Sequence, residues 1–250
     1  MSYIKIAPNI YIDMSAFGNA NWDVICNLLR FVDETLSNAI GHEPFSSNDV
    51  YVKYNEDGPM ALECCGEKHM IWLNVSDNYW CQWVFQFAHE YCHHIINGLS
   101  GCKNGLMWFE EILCHACSLF VLVRLEEKWN TLFSNYKSYK ESIREYLYDI
   151  FFDEKKRKYN IINLCQKNEY RMFDSKGDYN RVLYDVIAQT IWLPLFLSNP
   201  NLWKILIHIG DSTSWKSLKE LLDYLVDTSD VSYRDTMKQC RIIHKAYFQY

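Results

Sequence analysis

The sequence predicts an α+β fold, with a small β-sheet and some helix in the first third of the chain and helices through the rest. Three observations lead there. Short segments of alternating polarity cluster before Asp77, and apolar periodicity near 3.6 residues takes over after it. In addition, 49% of the 250 residues are apolar and only 9 Gly and 5 Pro interrupt them, so a substantial core is affordable and long disorder is excluded.

Residues 2–12 alternate loosely through Tyr3, Ile4, Ile6, Ile10 and Ile12, the pattern of a strand. Ile25, Leu28, Leu29, Val32 and Leu36 then recur at helical spacing, with Gly41 as the stop. Asp49–Tyr54, Met60–Leu62 and His69–Val75 read as further strands, the last rich in β-formers. Tyr79 to Asn97 is helical, and Asn97-Gly98 is a stop signal. After a loop through Gly101 and Gly105, a second helix is expected over Trp108–Trp129. Residues 135–160 are charged, Tyr-rich and helical by periodicity, which predicts a partly exposed helix. Helices over Tyr179–Phe196, Leu202–His208, Leu218–Val226 and Tyr233–Ala246 complete the chain, with Asn199-Pro200 separating the first two. Ser175–Asp178, around Gly177, is the best boundary between two lobes.

Charge and cysteine usage narrow the function classes. The net charge is −6, and the densest basic run, Lys155-Lys156-Arg157-Lys158, lies beside Asp153 and Glu154. It reads as a solvated helix face rather than a nucleic-acid stripe. The apolar stretches around Ala116–Val123 and Ile187–Leu197 are too short to span a bilayer, so no membrane partner is expected. The first residues lack the pattern of an export signal, and the 10 Cys are therefore expected to be reduced thiols in a cytoplasmic chain. Cys114 and Cys117 form a lone CxxC inside an apolar helix, which reads as buried structural thiols.

The chemistry concentrates in His89-Glu90-Tyr91-Cys92-His93. At about 100° and 1.5 Å per residue, His89 and His93 lie within roughly 40° of each other, one turn apart on one helix face. Their imidazoles can converge on one metal ion, and Glu90, about 100° round, can reach a water beside it. A zinc site needs a third protein ligand and an open fourth position. Trp108-Phe109-Glu110-Glu111 on the next helix offers two carboxylates, of which only one can face the histidines. Leu119 and Leu122, at i+8 and i+11 from Glu111, continue its side of the helix into buried positions and so favour Glu111. Glu110 is then expected to be a solvated or rim carboxylate, free for a polar group of a substrate. His94 points away from the ligand pair and reads as a surface or core histidine.

HExxH followed by W-x-x-E on the next helix resembles the gluzincin metallopeptidases, the group of thermolysin and the zinc aminopeptidases. The resemblance implies a zincin-like fold, with residues 1–130 as the catalytic lobe and 131–250 as a helical lobe packed on it. It implies Zn²⁺ held by His89, His93 and Glu111, and Glu90 as general base. It also implies an oxyanion donor from the downstream helical lobe, for which Tyr184 is the choice and Tyr179 the reserve. Where thermolysin-like members carry an Asp four residues after the ligand Glu, this chain has His115. The segment with which aminopeptidases grip a free amino terminus is absent before the helix.

The function expected from these residues is zinc-dependent hydrolysis of a peptide or protein substrate. That substrate would lie extended along His69–Val75. The competing readings are a zincin-fold pseudoenzyme and a helical protein-interaction module in which HExxH is coincidental.

Overall fold

A computed structural model describes residues 3–41, 49–63, 68–100, 106–157, 159, 180–210, 217–228, 234, 235, 237 and 238. The expected boundary at Ser175–Asp178, the reserve donor Tyr179 and most of the helix expected over Tyr233–Ala246 lie outside the described residues.

The architecture is mixed, with one five-stranded sheet and a larger helical part. Residues 2–12, expected as one strand, form two. β1 (Tyr3–Ala7) and β2 (Ile10–Asp13) pair antiparallel about Pro8-Asn9, the turn residues that break the alternation. α1 (Trp22–Ile40) crosses from β2 to the parallel strand β3 (Asp49–Tyr54). Asn21 caps its start by accepting from the Val24 amide, and Gly41, at φ 77°, closes its end in the left-handed region.

β4 (Met60–Glu63) and β5 (Lys68–Leu73) complete the sheet in the order β1-β2-β3-β5-β4. β5 runs parallel to β3 and antiparallel to β4. The strand expected to lie open to substrate is thus interior, and among the described strands the edge on that side is β4. Ile10, Ile12, Val50, Val52, Ile71 and Leu73 give the sheet one buried face, against which the helices pack. On the other face Tyr11 stacks on Tyr51 at 5.1 Å, and Tyr3 meets Tyr51 edge-on.

Two long helices form the centre. α2 (Trp80–Ser100) runs three residues beyond the expected stop at Asn97, and α3 (Met107–Leu132) packs along it. α3 is buried nearly all round, from Trp108 through Leu125 to Trp129, as a helix surrounded by others must be. α4 (Tyr139–Phe151) buries Ile143 and Leu147 and leaves Tyr148 exposed, the half-buried helix expected of this segment.

The helix expected over Tyr179–Phe196 is broken. α5 (Arg181–Ile187) widens into a π-helical segment, Ala188–Trp192, before α6 (Leu193–Ser198). Pro194 has no N–H to give the carbonyl four residues back, so the regular ladder cannot continue and the turn before it opens. A 3₁₀ turn at Pro200–Lys204 leads to α7 (Ile205–Gly210), followed by α8 (Leu218–Thr228). One hydrophobic core runs from Ile6 in β1 to Met237, shared by the sheet, the central helices and the C-terminal helices. No helix among the described residues is long and apolar enough to cross a membrane.

Candidate metal centre

α2 presents His89 and His93 one turn apart toward the N-terminal end of α3, as their spacing requires. There the two oxygens of Glu111 face one imidazole each. Oε2 lies 3.5 Å from His89 Nε2, and Oε1 lies 3.4 Å from His93 Nε2. One ligand atom from each of the three residues falls within 4.8 Å of the others. Two imidazoles and a carboxylate at this spacing could hold a divalent cation, and all three residues line one cleft.

Glu110 is not the rim carboxylate expected from the sequence. It is 5% exposed, and its Oε1 accepts from His93 Nδ1 at 2.6 Å and from Asn97 Nδ2 at 3.0 Å. The adjacent carboxylates therefore divide the work. Glu111 meets the histidine nitrogens that would ligate, and Glu110 fixes the back of His93, the arrangement that orients a metal-bound imidazole. Asn97 lies one turn beyond His93 on the same face of α2, and that spacing was the signal for it.

The electrostatics follow from this packing. Burial pushes the His93 imidazole down, but the carboxylates of Glu110 and Glu111 more than offset this and hold it well above its ordinary range. Burial likewise pushes Glu111 up, and the two imidazoles reverse the effect, holding its carboxyl well below the usual carboxylate range. Glu110 and Glu111 on either side of the ring thus favour the protonated form of His93.

Glu90 lies in the same cleft, 5% exposed. Burial raises its carboxyl above the ordinary value, tempered by the neighbouring histidines and by a hydrogen bond from the Ala61 backbone N–H. That bond ties Glu90 to β4, and the edge strand forms one wall of the cleft through Met60, Ala61 and Leu62. The cleft has a volume of about 660 Å³, and Met107 and Arg181 also line it.

The remaining candidates divide. Tyr184 is 2% exposed, belongs to the core and is not among the residues lining the cleft. Arg181, one turn before it at the start of α5, does line the cleft, and sequence reasoning missed it. His94 is buried on another face of α2, against the His69 ring at 4.7 Å. Cys114 and Cys117 are free and fully buried, with the Cys117 thiol on the Ala88 carbonyl.

His115 is buried with its ring against that of His89, at 4.8 Å between centroids. Burial holds its imidazole well below its ordinary range, so its contact with Asp185 involves a neutral ring rather than an ion pair. Lys156, expected on a solvated face, is instead 7% exposed and pairs with Asp185.

No protein family matches this chain, and no match is found among curated proteins or solved structures. Its functional reading therefore rests on the residues and their geometry.

Proposed function

We propose that this protein is a zinc-dependent hydrolase of the gluzincin type, with a zincin-like fold, that cleaves peptide bonds. The observation that carries the reading is the meeting of His89, His93 and Glu111 beside a buried Glu90, in a cleft walled by the edge strand β4. His89, His93 and Glu111 would hold the ion. When bound, zinc supplies positive charge that polarises a carbonyl and acidifies water.

The chain's own groups perform the rest. Glu90 takes a proton from the attacking water and returns it to the leaving amine. Its burial suits both halves of that task, because a raised carboxyl holds the proton long enough to deliver it. An extended substrate adds to the edge of β4, where backbone hydrogen bonds set its register over Glu90. Arg181, which also lines the cleft, would supply a guanidinium for the charge that develops on the scissile carbonyl oxygen, the role the resemblance gave to Tyr184.

The test is hydrolysis of an unfolded protein by zinc-loaded protein, with Glu90→Gln as the comparison. Cleavage by the wild type that is lost in the variant, while zinc is retained, supports the reading. A wild type that binds zinc and cleaves no peptide bond overturns the assignment as a peptidase.

A further inference from the structure

Buried polar atoms without a hydrogen-bond partner gather behind His89. They are His89 Nδ1, His115 Nδ1, His115 Nε2 and Asp185 Oδ1. Protein interiors seldom leave such groups unpaired, and here they belong to side chains that stand against one another. The rings of His89 and His115 meet at 66° with centroids 4.8 Å apart, and His115 Nδ1 stands 3.6 Å from Asp185 Oδ1. Beyond Asp185 everything is tied down. Its Oδ2 contacts Lys156 Nζ at 2.5 Å, and the same ammonium donates to the Ile150 carbonyl at 2.6 Å and to Gln189 Oε1 at 3.1 Å.

Proton accounting gives the set a direction. A histidine that ligates through Nε2 carries its proton on Nδ1 and needs an acceptor there. For His93 that acceptor is Glu110. For His89 the adjacent group is His115, and a neutral imidazole accepts at one nitrogen while donating from the other. Asp185 accepts that second proton, and Lys156 holds Asp185. We infer that His115 and Asp185 are positioning residues for the metal centre: His89 Nδ1–H donates to His115 Nε2, and His115 Nδ1–H donates to Asp185 Oδ1. This rests on the metal centre proposed above.

The arrangement has a chemical reason. Glu90, Glu110 and Glu111 already crowd the site, and a further carboxylate directly on His89 would add to their repulsion. The imidazole spacer moves that charge one ring away, where Lys156 neutralises it. The 3.6 Å gap lies just beyond hydrogen-bond reach, and a small ring rotation closes it when His89 is drawn onto a cation.

The test measures Zn²⁺ and Co²⁺ affinity of the full chain by competition with a chromophoric chelator, together with the visible spectrum of the Co²⁺ form. His115→Phe keeps a ring but removes both nitrogens, and is expected to weaken binding by about 10–100-fold and shift the Co²⁺ bands. His115→Gln keeps one acceptor and one donor, and is expected to stay within about threefold of wild type. Asp185→Leu combined with Lys156→Met removes the buried pair together, leaving no lone charge, and is expected to weaken binding by about tenfold.

Wild-type affinity in the Phe variant or in the double variant overturns the inference. So does a Gln variant that falls as far as Phe, because packing would then explain both. Circular dichroism of the metal-free variants establishes folding, and if His115→Phe fails to fold, the Gln and double variants decide. A wild type that binds neither metal overturns the metal centre and the relay with it. That outcome is distinct from a relay that fails in a metal-binding protein.

Discussion

Replacing Glu110 with alanine is expected to destabilise the metal-free protein by about 2–4 kcal/mol at pH 6. The carboxylate holds His93 Nδ1 at 2.6 Å, with both side chains largely buried, at 14% and 7% exposed. A hydrogen bond between charged groups contributes about 1.5–3 kcal/mol, and stranding Asn97 Nδ2 without its acceptor adds about 1. The loss stops short of a fully broken buried pair, because Glu111 still faces His93 at 3.4 Å. Glu110→Gln keeps an acceptor without the charge and is expected to lose about half as much. The pH dependence has a definite sign. His93 is raised above its ordinary value, so the stability it contributes is fully present below about pH 6.5 and is lost as pH rises through its folded value. The cost of Glu110→Ala therefore shrinks toward alkaline pH. Urea unfolding in the presence of a chelator, at pH 6 and at high pH, measures this directly. A loss below about 0.5 kcal/mol at pH 6, or one that grows with pH, would refute the placement of that proton.

Further expectations concern the cleft and the core. Glu90→Gln should keep its metal while hydrolysis falls by about 10²–10⁴-fold; near-normal turnover would remove Glu90 as base. Arg181→Met should lower kcat by about 10²–10³-fold without loss of metal, whereas the buried Tyr184→Phe should leave kcat nearly unchanged; the reverse pattern would return the donor role to Tyr184. Burial, aided by His69, pushes the His94 imidazole down to about 3, with Tyr91 stacked on its other side. The unfolded chain then binds a proton that the folded chain refuses, so stability falls as pH drops below about 6.5, by about 1.4 kcal/mol per unit. His94→Leu should make the fall in urea stability between pH 6 and pH 4 shallower, the buried His115 keeping its own share, and curves parallel to wild type would contradict this.

The sequence carried the parts of the site that depend on local spacing. His89, Glu90 and His93 share a helix, so their geometry follows from the helical repeat. The apolar positions beyond Glu111, by contrast, do not separate it from Glu110, because α3 is buried nearly all round and Glu110 is the more buried of the two. What was illegible depends on contacts between distant segments. Glu110 looked solvated because nothing near it in sequence reveals that Asn97 and His93 meet it from another helix. Lys156 looked solvated within a basic run, and its burial comes from Asp185 on α5. The interior place of β5 depends on strand order, which alternation along one segment does not encode. The isoleucines on either side of Pro8-Asn9 read as one continuous strand, and the turn these two residues make separates it into β1 and β2.

Zinc titration of wild type beside Glu111→Ala decides whether His89, His93 and Glu111 form a metal centre. Wild type is expected to take up one zinc per chain, with release of the proton favoured on His93. Glu111→Ala is expected to lose more affinity than the about 10–100-fold that removal of a supporting hydrogen bond costs, a range within which Glu110→Ala should fall. A wild type without zinc, or a Glu111→Ala variant that binds as tightly as wild type, contradicts the metal centre.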